Sequence, residues 1–469
     1  MLYYRPVTLS DEQIALFVNK TAHQNSYKVI FKTWWPLAFS WVLMSAELPL
    51  LSAVMARLAE PEINLAAYSG VIWPIALIIE APIIMLLAAS TAISKDWASY
   101  QKIHKFMMIS GGILTALHAL IAFTPLYYWV VTTIMGVPQE IVEPGRIGLA
   151  IMLPWTWTIA YRRFNQGVLI RFGHSNVIGA GTMLRLAVAG AILLIGYWYK
   201  GFAGVVVGAT AQAVAVTAEA IYTGFKVKPV IRYQLKKAET AEPLTWKVFF
   251  SFYTPLALTS FITLLWQPLG SAAMSRMPLA IESLATWPAL AGLVSVLRSA
   301  GYAYNEVTVA LLDKTGSLPN LKKATRLLFF GTGLLHLMLL ITPLASFWFY
   351  DISALDPALA QMGRQAFWLA LPLSAVTVLQ SWYQGAILVS RKTRAVSEAV
   401  TVMLVTLLIV FSIGIRLQTY PGLFFAIGGL TLANTAQMTW LWLRSKGVMQ
   451  KLEKRDRSAE LITPTAETI

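Results

Sequence analysis

Apolar runs of 18 residues or more recur along this chain between residues 32 and 444. Each is long enough to cross a hydrocarbon core of about 30 Å as a helix. In lipid a backbone has to satisfy its own hydrogen bonds, and a helix does so within one segment. Of the 469 residues, 57% are hydrophobic and only 13% charged, against roughly 25% charged in ordinary soluble domains. The expected fold class is an all-α polytopic membrane protein, and soluble-enzyme templates are set aside. The spans read as 32–57, 63–93, 105–134, 146–171, 177–199, 202–225, 246–274, 279–312, 322–349, 363–390, 395–416 and 420–444.

Alternate loops differ in charge. One set gathers bases: Lys95, Lys102 and Lys105; Arg162, Arg163 and Arg171; Lys226, Lys228, Arg232, Lys236 and Lys237; Lys314, Lys322, Lys323 and Arg326; Arg391, Lys392 and Arg394. The other holds mainly acids, among them Glu60, Glu140, Glu143, Glu282, Asp351 and Asp356. The positive-inside rule then puts both termini in the cytoplasm, and a plasma (inner) membrane is the expected location. The net charge of +15 is accordingly a topology signal and a contact for anionic lipids, and no nucleic-acid partner is expected. Residues 1–31 lack the apolar core of a cleavable signal peptide. Ser10 to Gln13 resembles a capping box opening an interfacial amphipathic helix over 10–22. Residues 445–469 are polar and read as a disordered cytoplasmic tail. Cys is absent, so the redox compartment is unreadable.

The two halves of the sequence match in register. Pro36-Leu37-Ala38 recurs as Pro255-Leu256-Ala257, and Pro49, Ser52, Met55 and Arg57 recur as Pro268, Ser271, Met274 and Arg276, all at a spacing of 219. After one lost residue the spacing is 218: His118 pairs with His336, Leu153-Pro154 with Leu371-Pro372, Gln166-Gly167 with Gln384-Gly385, and Gly204 with Gly422. This is a tandem duplication of six spans. An even number gives both copies one orientation, so they should be related by a pseudo-two-fold axis along the membrane normal, with a substrate site between them. The domains are then the N-lobe at 32–225, a cytoplasmic linker at 226–245 and the C-lobe at 246–444.

This architecture resembles the MATE transporters and the wider MOP superfamily, which also holds oligosaccharide-lipid flippases. Three strings are similar to the progressive-ankylosis (ANKH-type) exporters: Trp34-Trp35-Pro36-Leu37-Ala38; His118 to Phe123 followed by Tyr127-Tyr128; and Gly201-Phe202-Ala203-Gly204 leading into Gly208-Ala209. The resemblance implies a secondary transporter, with spans one, two, seven and eight bordering a central cleft. MATE members imply drug or cation antiport, and ANKH-type members imply export of small organic anions such as citrate and nucleotides. One departure stands out: where many bacterial MATE proteins carry a coupling Asp in the first span, this chain has Glu47.

Ionisable residues inside spans are costly and normally face an interior or a cavity. Glu80 lies between Pro74 and Pro82, and its repeat mate is Arg298 at a spacing of 218 or Ser299 at 219. At 218, an acid on one wall of the cleft faces a base on the other. Arg298 would then hold an anion and Glu80 take up a proton, or the two would form a static ion pair. Glu47, Asn305 and Glu306 are the further substrate or coupling candidates in the cleft. Arg185 and Glu219 are expected to pair between spans five and six, and His118 and His336 to pack the lobes, with coupling as the alternative role. Trp73 and Trp287 would border the cleft. The sequence shows no P-loop, no metal-ligand cluster, no catalytic residues and no cofactor motif, only a possible coupling ion, H⁺ or Na⁺. The expectation is a monomeric, non-enzymatic transporter that works by alternating access and exports a small organic anion. The alternatives are an H⁺- or Na⁺-coupled cationic-drug antiporter and then a lipid-linked precursor flippase, a channel or an intramembrane enzyme.

Overall fold

The computed structural model describes residues 27–238, 244–390 and 394–462, with side chains through 458. The helix expected at 10–22, the loop bases Arg391 and Lys392, and residues 463–469 lie outside the described residues. Within them, the N-lobe comprises α1 (Tyr27–Met55), α2 (Pro61–Glu80), α3 (Leu86–Ile93), α4 (Trp97–Phe123), α5 (Val142–Ile151), α6 (Leu153–Arg171), α7 (Asn176–Tyr199) and α8 (Gly204–Tyr233). The C-lobe comprises α9 (Trp246–Leu264), α10 (Trp266–Met274), α11 (Ala280–Leu312), α12 (Leu318–Ile341), α13 (Pro357–Leu369), α14 (Leu371–Val389), α15 (Arg394–Leu417) and α16 (Gly422–Ile462). Among the described residues, nine helices are long and apolar enough to cross a membrane. The other three spans are the two that break at Pro154 and Pro372, and α16.

Local chemistry fixes the helix ends. Asp96 caps α4 by accepting from the Ser99 amide at 2.9 Å, and Asp356 caps α13 by accepting from the Ala358 amide at 3.1 Å. Pro82 has no N–H and its ring crowds the preceding turn, so regular helix stops at Glu80 and resumes at Leu86. The C-lobe has Gly301 at the matching position, and α11 runs through.

The duplication is visible in the backbone as well as in the sequence. Three matched places hold a residue in the left-handed region in both lobes: Glu60 and Leu279 (φ 48° and 52°), Gly136 and Ala354 (65° and 50°), Lys200 and Gln418 (52° and 50°). Only Gly adopts this region without cost, the others by roughly 1–2 kcal/mol, so recurrence at matched positions reflects one inherited chain path. Gly204 and Gly422 open the last helix of each lobe against the end of the first. A Cβ on Gly422 would fall 2.9 Å from Met274 Cα, and one on Gly204 would fall 3.3 Å from the Met55 carbonyl oxygen. The histidines repeat too. His118 Nδ1 lies 2.7 Å from Thr156 Oγ1 and His336 Nδ1 lies 2.9 Å from Ser374 Oγ, binding the third span of each lobe to the fourth.

The lobes meet along a seam. On the face carrying the start of α1 and the end of α16, α1 lies along α11: Trp34 donates to the Ala300 carbonyl at 2.9 Å and Trp41 to Glu306 at 3.0 Å. Halfway across, a π-helical turn at Tyr68–Ile72 meets the C-lobe. There Ser69 donates to the Leu284 carbonyl at 2.5 Å and Ser271 donates to the Gly70 carbonyl. On the opposite face two arginines form a reciprocal clasp. Arg57 donates to the Asp351 and Ile352 carbonyls at 2.5 and 2.9 Å, and to Ala53 of its own helix at 2.7 Å. Its repeat mate Arg276 donates to Ile134 and Met135 at 2.5 and 2.6 Å, to Thr133 at 3.3 Å, and to Ala272 at 2.8 Å. The acceptors belong to matched π-helical segments, Phe347–Ile352 and Trp129–Met135, whose unpaired C-terminal carbonyls carry partial negative charge.

Three sequence expectations are corrected here. The tail is helical as far as Ile462: α16 docks on the α11–α12 turn, with Asp456 accepting from the Leu318 amide at 3.0 Å and Arg455 donating to the carbonyls of Leu312, Asp313 and Lys314. Its Val448 and Leu452 pack against Leu311, Leu318 and Leu321, so polar composition concealed an amphipathic helix. The linker is shorter than 226–245 because α8 continues to Tyr233 and a 3₁₀ turn follows at Leu235–Lys237. Arg162 and Arg163 are not loop bases. Both lie within α6, and Arg162 is buried.

Candidate functional site

Among the described residues, two polar centres stand out, one within the N-lobe and one on the seam. The N-lobe centre is an ion-pair chain. Glu219 of α8 is fully buried and holds Arg162 of α6 at 2.5 Å and Arg185 of α7 at 3.3 Å. Gln166, one turn after Arg162, donates to the second Glu219 oxygen at 3.0 Å. Arg185 continues to Glu47 of α1 at 2.8 Å. Glu80 is buried with one carboxylate oxygen unpartnered, and its charged neighbours are Arg163 and Arg162. Two carboxylates, Glu47 and Glu219, and two guanidiniums, Arg162 and Arg185, thus form one ion-pair chain, with Glu80 and Arg163 beside it. In a dry interior each charge needs such partners, because an isolated one carries a desolvation cost of several kcal/mol. Gly181 lets the chain assemble: a Cβ there would lie 3.3 Å from the Glu219 side chain.

The repeat mates of Arg162 and Glu219 in the C-lobe are Gln380 and Gln437. Charge has been replaced there by amides, and each of the two has a buried, unpartnered carbonyl oxygen.

The second centre is an enclosed interlobe cavity of about 140 Å³. At ~30 Å³ of liquid per molecule, this is room for roughly five waters or one small organic group. Trp73 of α2, Trp266 and Gln267 of α10, and Trp287, Arg298 and Tyr302 of α11 line it. Trp266 and Trp287 meet edge to face at 6.1 Å. Arg298 is only 8% exposed. Its Nε donates to Thr377 at 2.7 Å, its Nη2 donates to Asn434 at 2.7 Å, and it lies 5.1 Å from the Tyr302 ring centroid. No carboxylate pairs with it among the described residues. Two neutral oxygens aim the guanidinium without cancelling its charge.

The expected Glu80–Arg298 pair is therefore corrected. The helix bearing Glu80 follows the spacing of 219, as Pro61 and Ala280 at the helix starts show, so its mate is Ser299. Ser299 lies 3.0 Å from Ser45 across the seam. Glu80 turns into the N-lobe and Arg298 onto the cavity. Asn305 donates to the Ser381 carbonyl at 3.2 Å within the C-lobe, and Glu306 accepts from Trp41 near the face of the chain ends. Neither lines the cavity. Glu47 is the accessible end of the ion-pair chain: it opens onto a larger, mostly apolar lateral cavity of about 870 Å³ between α1, α7 and residues 347–352. Sequence reasoning missed Arg162, Arg163, Gln166, Gln267 and Trp266. The two arginines carried a usable signal, since they fall in the middle of an apolar run with Gln166 one helical turn on.

No model of a known protein family matches the sequence, and neither does any curated protein. Solved structures do match in fold. An inward-facing multidrug-resistance MATE transporter of the MOP superfamily superposes with a TM-score of 0.67 at 14% identity, covering 88% of this chain and 98% of that one. A MOP superfamily transporter from Pyrococcus furiosus, described by a binding pocket of reverse polarity, gives 0.61 at 17%, covering 90% and 97%. An outward-facing MATE transporter gives 0.55 at 16%, covering 90% and 97%. The chain is a multi-pass, all-helical membrane protein with the two-lobed fold of the MATE transporters.

Proposed function

We propose that this protein is a secondary transporter that works by alternating access and exports a small organic anion through the interlobe seam. The observation that carries the substrate's sign is Arg298, a buried cation on the cavity wall whose protein partners are all neutral. Burying such a group is costly unless an opposite charge joins it, and a carboxylate or phosphate would make short, charge-assisted hydrogen bonds to the guanidinium. The tryptophans around it suit a substrate with a flat or apolar part. The self-neutralised N-lobe centre supplies no net charge for a substrate, and Glu47 and Glu80 are its candidates for coupling to H⁺ or Na⁺. The face carrying the chain ends is read as cytoplasmic from its bases, in a plasma (inner) membrane, with the chain acting as a monomer. No catalytic role is assigned to any residue. The progressive-ankylosis resemblance rests on three short strings and supports the organic-anion reading only to that extent. A cationic-drug antiporter is the second reading, favoured by the unpartnered oxygens of Glu47 and Glu80 and by the MATE names of the structural neighbours.

Proteoliposome uptake and counterflow would separate the two, using citrate, a nucleotide and a cationic dye under imposed pH and Na⁺ gradients. The anion reading expects citrate or nucleotide flux in the wild type and its loss in Arg298→Ala, with the dye not carried. Dye flux without anion flux, or an Arg298→Ala variant that transports normally, would overturn it.

A further inference from the structure

We propose a second binding site, for the phosphate headgroup of an anionic lipid, in a cavity on the C-lobe at the end where α16 leaves the membrane. The cavity measures about 410 Å³ and lies between α12, α14 and α16. Each helix presents one face to it at helical spacing: Lys322 with Thr325 and Arg326 from α12, Leu379 with Trp382 and Tyr383 from α14, Trp442 with Lys446 from α16. The floor is buried, with Thr325 at 5% and Trp382 at 4% exposure. The rim is basic. Lys322 is already engaged by Glu453 at 2.5 Å. Lys446 rests 4.1 Å from the Trp442 ring centroid without an acidic partner, and Arg326 makes no ion pair or hydrogen bond among the described residues. Two positive charges are left over.

Depth decides between a lipid and a free anion. Asn434, which holds Arg298, lies near the middle of the apolar part of α16, and Lys446 follows twelve residues later. At 1.5 Å per residue this is about 18 Å, just beyond the ~15 Å half-thickness of a hydrocarbon core. Lys446 thus sits at headgroup level, with the exposed Trp442 one turn below it where interfacial aromatics belong.

The N-lobe lacks this site. The mate of Trp442 is Gly224, and a Cβ there would lie 2.6 Å from the Tyr161 hydroxyl, so α8 closes onto α6. Met108 stands at the place of Arg326. The cavity belongs to one lobe only, and bound lipid there would bear on one lobe only.

The test uses the full-length protein in detergent, with retained lipid read by native mass spectrometry. The probes are dioleoylphosphatidylglycerol, dioleoylphosphatidylcholine and inorganic phosphate. The wild type is expected to retain phosphatidylglycerol selectively. Arg326→Gln/Lys446→Gln should lose roughly thirtyfold in affinity, taking two bases at a lipid surface. The N-lobe control Lys228→Gln/Arg232→Gln should lose far less. Circular dichroism and gel filtration check that each variant is folded. Equal retention by the Arg326→Gln/Lys446→Gln variant and wild type, equal retention of phosphatidylcholine, or full displacement by millimolar inorganic phosphate would each overturn the proposal.

Discussion

Cutting the arginine clasp should release the face opposite the chain ends. Arg57 makes two hydrogen bonds across the seam, at 2.5 and 2.9 Å, and Arg276 makes two at 2.5 and 2.6 Å with a longer third at 3.3 Å. A hydrogen bond from a charged donor contributes about 1.5–3 kcal/mol when buried. Arg57 is exposed and Arg276 half-buried, so ~0.5–1 kcal/mol per bond is the appropriate scale after solvent screening. Each arginine then holds the lobes together by about 1–2 kcal/mol, and the pair by about 2–4 kcal/mol if the two sites act independently. In a two-state equilibrium this shifts the closed-to-open ratio roughly 5- to 30-fold for one substitution and 30- to several hundredfold for both. The chain has no Cys, so spin labels can be placed on two introduced cysteines without background. Glu140 and Ala358 are exposed, repeat-related and one on each lobe near the clasp. Double electron–electron resonance should give a single short distance in the wild-type background and a growing longer one in Arg57→Ala, most of all in Arg57→Ala/Arg276→Ala. Arg57→Lys should fall between, since one ammonium cannot present a fork to two carbonyls. A distance distribution in the double alanine variant that matches wild type would show that the clasp does not hold this face closed.

Other expectations concern the charge centre and the docked tail. Glu219→Gln leaves Arg162 and Arg185 buried without their shared acid, and should destabilise by about 3–5 kcal/mol, read as a fall in the thermal unfolding midpoint. Arg162→Gln/Glu219→Gln should cost less than Glu219→Gln alone, because it copies the Gln380 and Gln437 pair of the C-lobe; a double variant worse than the single would refute this. His118→Ala removes contacts to Thr156 and the Leu149 carbonyl and should cost about 2–4 kcal/mol in unfolding free energy while the substrate Kd is retained. Hydrogen bonding to Lys322 holds the Glu453 carboxyl below its usual range. That contribution is full at neutral pH and is lost only as pH falls through the lowered value. Its side chains are 38% and 40% exposed, so Lys322→Ala should cost under about 1 kcal/mol, measurable as faster hydrogen exchange in α16 beyond Lys446.

The spans and the duplication could be read from the sequence because lipid imposes a long apolar period and because matched prolines and glycines mark the same bends twice. Pro154 and Pro372, or Gly204 and Gly422, are legible as letters. The clasp was only half legible. Arg57 and Arg276 are plainly repeat mates, but their acceptors are main-chain carbonyls, which have no signature in a sequence. The tail was misread for a related reason. Residues 445–458 bury two apolar side chains and make their remaining contacts through Arg455, Asp456 and backbone, so average polarity outweighed the pattern. Arg162 and Arg163 were misread because counting bases by loop treats charge as a marker of the surface.

Glu80 shows where the register itself decides chemistry. One residue of offset separates a cleft with facing acid and base from two lobes that have diverged. At the observed spacing Glu80 answers to Ser299, and Arg298 answers to Ile79. The same divergence recurs at Arg162 and Glu219 against Gln380 and Gln437. The N-lobe holds two acids and two bases in one ion-pair chain away from the seam cavity. The C-lobe has glutamines at the matching places and carries Arg298, which it aims with Thr377 and Asn434 and leaves without an acidic partner. The unpaired charge lies on one side of the two-fold frame only, and under the proposed anion export the substrate's own charge would complete that side of the seam.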